Sequence, residues 1–236
     1  MSEHSFLRDT AVKAAVKLGI YPKIVALLNR QIAKREAASI KKHGLEVLAK
    51  IDEVLTKEGI TPFFVFGLLL GAYREKGFIP YDCDLDTGMM FSDYNEDFIP
   101  AMEKSGLKHI RRYYVKKTGR ICEDKFDYKG VHLDVHYYYK DETGNLYCDL
   151  CLPHETKDWR TANQSDGFPS IIRTCPDTEL NRQPFLSIEC YMPTKTEDWL
   201  KALYGEHFMT PDPKWSMNDH KKRAENHNER LYRIEY

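Results

Sequence analysis

Three aspartates at alternate positions, Asp82, Asp84 and Asp86, sit between apolar runs in the segment FGLLLGAYREKGFIPYDCDLDTGMM, from Phe66 to Met90. In an extended chain the period of two puts these carboxylates on one face and Cys83 and Leu85 on the other. Gathered carboxylates repel one another, so either one holds a proton or a hard divalent cation lies between them. A solvated acidic turn is the ordinary alternative. The flanking apolar residues speak against it, because charges beside a core are normally paired or metal-bound. Upstream, LLLGAYREK has helical character that starts at a glycine turn. A helix beginning there aims backbone N–H groups beyond the strand end, a favourable place for a phosphate.

A further acidic residue stands in the run VHLDVHYYYK. Alternation places Val131, Leu133 and Val135 on one face and His132, Asp134 and His136 on the other. Few things hold a carboxylate in mid-strand besides a metal, a basic partner or a helix N-terminus. Asp82, Asp84, Asp86 and Asp134 together make an all-oxygen donor set suited to Mg²⁺ or Mn²⁺. A structural ion pair is the other reading for Asp134. Arg74 is the candidate for a phosphate contact, because its planar fork can engage two oxygens at once, and Lys76 is the weaker one. His132 and His136 are placed to orient Asp134 or to touch a substrate.

The rest of the chain predicts an α+β fold in three parts: a helical extension over 1–58, a catalytic domain over 59–216 and a polar helix over 217–236. Apolar spacing near three and four between Thr10 and Glu58 predicts two or three helices, broken at Gly19–Pro22, with Gly59 as a C-cap. Strands are expected at Ile60–Phe66, Asp84–Met90, Leu107–Val115 and Ile121–Phe126, the last polar and peripheral. Ser92 should cap a helix reaching Lys104, with a kink or a fresh start at Pro100. Asp141–Pro184 reads as a long irregular connection, a lid or substrate loop. Thr194 and Glu197 form a capping box for a helix ended by Gly205.

A net charge of −1 excludes the marked basic excess of a general nucleic-acid binder. No apolar run is long enough to span a bilayer, and MSEHSFLRDT lacks the features of a signal peptide. A cytoplasmic protein with reduced thiols is therefore expected. Cys148 and Cys151, with Cys175 and Cys190, have the number but not the close pairing of a zinc site, and strand alternation would split the first pair. The basic stretch Lys13–Lys50 is by default a solvated helix face. Contact with anionic lipid, peripheral at the inner membrane surface, or with a polyanionic glycan, is the lesser reading.

The ordered residues Gly67, Leu69, Leu70, Gly71, Arg74, Gly77, Ile79, Pro80, Asp82, Asp84 and Asp86 carry a resemblance. They resemble the GG(S/T)LLG…R…G(F/I)IPWD-x-D-x-D signature of the LicD and fukutin/fukutin-related family of phosphotransferases. Tyr81 replaces the usual Trp, and Phe66 and Leu68 replace a Gly and the Ser/Thr. VHLDVHYYY is similar to the family's apolar-Asp-apolar motif at Asp134. Pro193, Leu203, Tyr204, Gly205, Phe208, Met209 and Pro211 resemble its C-terminal pattern.

The resemblance implies a nucleotidyltransferase-like (polymerase-beta-like) mixed sheet with flanking helices. It implies transfer of a substituted phosphate of the phosphocholine or phospho-alditol type from a CDP-linked donor to a hydroxyl of a glycan or glycolipid, releasing CMP. In that setting Asp84, Asp86 and Asp134 are expected to hold Mg²⁺ or Mn²⁺, with Asp82 a further ligand or the group that activates the acceptor. Gly67, Gly71, Arg74, Lys76, His132 and His136 are expected near the donor. A nucleotidyltransferase proper, a metal-dependent phosphohydrolase and an inactive glycan-binding protein stay open as alternatives.

Overall fold

The computed structural model describes residues 21–152, 154, 157, 159–212, 215 and 225–236. Its first element is a single 37-residue helix, α1, Tyr21–Lys57. Pro22 stands in its first turn, where a proline has no backbone bond to forgo, and the rest of the expected break at Gly19–Pro22 lies outside the described residues. The residues before Tyr21 lie outside the described part. Gly44 keeps α1 unbroken against the body: a Cβ there would stand 2.8 Å from the Phe78 ring. Ile40, Val47, Leu48, Ile51 and Leu55 bury the inner stripe of the helix, and Gly59, at φ +73°, ends it as expected.

The elements that follow are β1 (Phe63–Phe64), α2 (Phe66–Leu70) running into one π-turn over Gly71–Glu75, β2 (Leu85–Met90) and α3 (Phe98–Lys104). Then come β3 (Lys108–Val115), β4 (Ile121–Tyr128), β5 (Val131–Lys140), β6 (Leu146–Cys151) and α4 (Trp159–Gln164). The chain continues through β7 (Phe168–Cys175), β8 (Leu180–Phe185), β9 (Ile188–Pro193), α5 (Thr196–Tyr204) and β10 (Glu225–Glu235). The described strands join one sheet in the order β4-β3-β10-β7-β6-β5-β2-β1-β9-β8. A further pairing of β4 with β5 closes β3, β4, β5, β6, β7 and β10 into a ring, from which β2, β1, β9 and β8 extend as a wing. The chain is thus α+β with a sheet-dominated core. A closed ring is not part of the mixed sheet with flanking helices that was expected.

Several expectations are corrected. β1 is short because the chain turns into α2 at Phe66, and α3 starts only at Phe98, with Pro100 in its first turn. β4 is not peripheral. It lies between β3 and β5 with Cys122, Asp124 and Phe126 buried, and its polarity is tolerated because Asp124 accepts hydrogen bonds from His109, Arg112 and Tyr137. The supposed irregular stretch Asp141–Pro184 holds β6, α4, β7 and most of β8. Its turn residues mark short connections, and Cys148, Leu150, Ile171 and Cys175 are buried.

Within the expected C-terminal helix, the described residues Glu225–Glu235 form a strand instead. β10 pairs with both β3 and β7, and Leu231 is fully buried between them. The capping box does not form either: Thr194 Oγ1 bonds Thr178 Oγ1, and Thr196 Oγ1 donates to the Pro193 carbonyl instead. α5 still ends at Gly205, φ +88°, and buries Trp199, Leu200 and Leu203.

Candidate active site

The strand register builds the site. β2 and β5 run parallel with Asp86 beside Asp134, and β4 runs antiparallel to β5 with Lys125 beside Asp134. Paired residues project to the same side, so Lys125, Asp134 and Asp86 form a row across three strands. Glu123, His136 and Gly88 make the next row. Asp82 and Asp84 arrive from the turn before β2. A hollow of about 330 Å³ is lined by all four expected aspartates together with Glu123 and His136. A larger hollow of about 640 Å³ shares Gly67, Asp82, Tyr204 and Trp215 with it and adds Arg74.

Charge in the hollow is only partly compensated. Lys125 Nζ bonds Asp134 Oδ2 at 2.8 Å, whereas Asp134 Oδ1 is buried with no protein partner. His136 Nε2 donates to Asp86 Oδ1 at 3.1 Å, and the Phe66 ring meets the imidazole edge-on at 4.9 Å. Burial disfavours the imidazolium, but Asp86, Glu123 and Asp134 outweigh it and raise the His136 pKa to about 9. Burial, then the charges of Asp86 and Asp134, push Asp84 well above the ordinary carboxylate range. Glu123 is raised too, by burial and then Asp134. Asp82 rises to about 7, through burial and then Asp86.

Asp82 therefore makes the metal-free fold pH-dependent. Its folded pKa lies above its unfolded one, so the folded state binds more protons between about pH 4 and 7. Stability should fall as pH rises through that window, by on the order of a few kcal/mol, and Asp82→Asn should flatten the slope. Urea unfolding of the chelated protein at several pH values reads this directly.

Gly67 belongs to the site for a steric reason. A Cβ on it would lie 2.5 Å from Asp82 Oδ2, closer than any side chain can stand. Gly67→Ala should displace the Asp82 carboxylate and lower turnover about a hundredfold, with a smaller loss of stability. Steady-state kinetics beside a thermal melt would separate the two effects.

The other expected residues are spread more widely. Gly71 is buried away from the hollow, where a Cβ would meet the Gly77 carbonyl oxygen at 2.6 Å. Arg74 lines the larger hollow, donating to the Phe208 carbonyl at 3.1 Å and to Glu75 at 2.7 Å. Lys76 sits 5.4 Å over the Tyr73 ring. His132 is not brought to the carboxylates: it faces Glu36 of α1 at 3.4 Å and Asp127 at 3.8 Å. Sequence reasoning missed Glu123, Lys125 and the ring of Phe66. A signal for the first two existed, since Glu123 and Lys125 share one face of a strand two positions apart. Phe66 itself is held at φ +43°, a conformation that favours glycine.

Among the described residues, no three or more His, Cys, Asp or Glu side chains are gathered into a ready-made metal cage. The carboxylates line an open hollow instead. Cys148 and Cys151 share one strand at odd spacing, and with Cys175 and Cys190 they are free thiols.

A sequence model of the family described as "LicD/FKTN/FKRP, nucleotidyltransferase domain" matches residues 59–180. Similar proteins include the human ribitol-5-phosphate transferase FKTN, 28% identical over 187 residues, covering 76% of this chain and 36% of that protein. Its mouse counterpart is 28% identical over 181 residues. An uncharacterized protein of Rickettsia prowazekii is 31% identical over 188 residues, covering 77% of this chain and 62% of the relative. The chain spans about a third of the length of the FKTN proteins it matches, at 36%. Because the family match covers more than half of the chain and takes in both acid-bearing strands, the chain belongs to the LicD/FKTN/FKRP family.

Proposed function

We propose that the acidic hollow transfers a substituted phosphate from a CDP-linked donor to a glycan hydroxyl and releases CMP. The observation that carries this reading is the meeting of Asp82, Asp84, Asp86 and Asp134 on one hollow, with Asp134 Oδ1 left bare. Family membership and the ribitol-5-phosphate transferase activity named for the FKTN relatives support it. In this reading the strands around β2 and β5 correspond to the nucleotidyltransferase-like part of the fold.

The donor set fits a hard divalent cation. Asp84, Asp86 and Asp134 supply only oxygen, and burial, then repulsion from Asp86 and Asp134 that a cation would relieve, raise the pKa of Asp84. Bound there, Mg²⁺ or Mn²⁺ would neutralise charge on the transferring phosphoryl group. Asp82, with its pKa near 7, accepts the proton of the acceptor hydroxyl. The acceptor oxygen bonds to phosphorus as the bond from phosphorus to the CMP oxygen breaks. Arg74, in the adjoining hollow, contacts a donor phosphate. His136 fixes Asp86, and Lys125 fixes Asp134.

The test is mass spectrometry of a glycan panel incubated with CDP-choline, CDP-ribitol or CDP-glycerol and Mg²⁺. An acceptor that gains the phospho-substituent with matching CMP supports the reading. Free phospho-alditol without acceptor modification would show a hydrolase, and pyrophosphate released from a nucleoside triphosphate would show a nucleotidyltransferase.

A further inference from the structure

We propose that the groove between α1 and the turn at residues 77–81 holds one molecule of an anionic lipid, its phosphate toward the active-site hollows and its chain along the groove. The groove measures about 830 Å³, and its two walls differ in kind. Arg30, Ala33, Lys34, Ala37, Lys41 and Leu45, spaced by three or four residues, form the α1 wall. Facing them, Phe78, Ile79, Pro80, Tyr81 and Leu186 form an apolar wall. Alanines between the cations leave room for a chain to lie close to the helix.

Two contacts orient the groove. Cys83 Sγ lies 4.0 Å from the Ala33 carbonyl oxygen, so the chain around Tyr81 and Cys83 sits within a helical turn of Arg30 and Lys34. At the other end the Phe78 ring packs on Gly44, where a Cβ would stand 2.8 Å from it. The end with Arg30 and Lys34 is also the end nearest the reaction, because Ile79 and Tyr81 line both the groove and the larger hollow that holds Asp82. A phosphate fits there. The chain then runs toward Leu45 and Phe78, and the long stem of Lys41 keeps its ammonium in water above an apolar ligand. Leu186 is held at φ +53°, which costs a side chain of its size, and is 54% exposed at the rim.

Charge complementarity selects the occupant. Among the described residues Arg30, Lys34 and Lys41 form no ion pair. The one acid between residues 30 and 45, Glu36, faces His132 at 3.4 Å instead. A phosphate among these cations and an alkyl chain on the apolar wall satisfy both halves of the lining. A second copy bound through the same patch would bring no anion to it. An extended peptide would leave backbone N–H and C=O groups unpaired, since a helix and a turn offer no sheet edge. A bare polyanion would leave Leu186 and its neighbours wet. The lipid is held at the surface: among the described residues no helix is long and apolar enough to span a membrane. On the transfer reading this lipid anchors the acceptor glycan, but the binding itself does not depend on that reading.

Isothermal titration of the full chain in a chelating buffer tests this, with dodecyl phosphate below its critical micelle concentration as the probe. Without metal the acidic hollow repels a phosphate, so the titration reads the groove. Binding should be one to one and about tenfold or more tighter than that of dodecyl maltoside or butyl phosphate. Arg30→Gln/Lys34→Gln should weaken dodecyl phosphate about tenfold and leave the maltoside unchanged. Ala37→Leu keeps a strong helix former in α1, so it should fill the groove and weaken both ligands at an unchanged melting temperature. No binding, equal binding of the maltoside or of butyl phosphate, or indifference to these substitutions would overturn the proposal. So would sedimentation showing a dimer that Ala37→Leu dissolves while dodecyl phosphate still binds. Amphiphile binding without glycan transfer would sink the transfer reading alone, and transfer to soluble glycans without amphiphile binding would sink this one alone.

Discussion

Asp84→Asn is expected to lower kcat for the proposed transfer about a thousandfold, with no loss of fold stability in the metal-free protein. Asparagine keeps the shape of the side chain and removes an ionisable group whose pKa is raised by burial and then by the charges of Asp86, Asp134 and Asp82. The apo protein is thereby relieved of repulsion, and its melting temperature should hold or rise. In the wild type Mg²⁺ should raise the melting temperature, because a ligand that binds only the native state stabilises it. In the variant that rise should shrink or vanish. A variant that kept both its turnover and its Mg²⁺-dependent melting shift would remove Asp84 from the site.

A large effect on stability is expected from a carboxylate on the other side of the same strand. Asp124 is fully buried and accepts hydrogen bonds from His109 Nε2 at 2.8 Å, Arg112 at 2.8 and 2.7 Å and the Tyr137 hydroxyl at 2.5 Å. Burial alone would raise its pKa, but His109 and Arg112 outweigh that and hold it below the usual range. Asp124→Ala leaves the half-buried Arg112 and the buried His109 and Tyr137 without their acceptor, so a loss of about 3–5 kcal/mol is expected in urea denaturation. The sign of the pH dependence follows from the depressed pKa. The contribution of Asp124 is present above the unfolded carboxylate pKa and is lost as pH falls through the folded one. Glu123 and Lys125, its neighbours on β4, face the active-site hollow or its row, so loosening the strand should also weaken the site.

The carboxylates were the most legible part of the molecule. Period-two spacing put Asp82, Asp84 and Asp86 on one face of a strand and Asp134 on the face away from Leu133 and Val135. Only Asp86 and Asp134 lie in strands, with Asp82 and Asp84 in the turn before β2, and the structure lines one hollow with all four acids. The partners on β4 were harder to see. ICEDKFDY reads as a polar edge until the network around Asp124 is known, because the groups that satisfy it come from β3 and β5. The ring itself was invisible to local patterns. ERLYRIEY is rich in helix formers, and of its described residues only Leu231 is buried, too little for a periodic signal. β6 and β7 were hidden by the turn residues between them. Phe66 is a different case: the departure from a family glycine was readable, but its φ of +43° and its packing on His136 were not.

The closure of the ring by β10 has a consequence in time. Leu231 pairs with Val115 of β3 and with Phe168 of β7, residues far back along the chain. Contacts of such long range form late, since a long loop must be closed before they repay its entropy. During synthesis β4 and β5 emerge well before the strand that locks their ring. A nascent chain would thus carry every acid of the hollow and still lack the frame that keeps them apart and in register, so catalytic competence should arrive in one step, with the docking of residues 225–235.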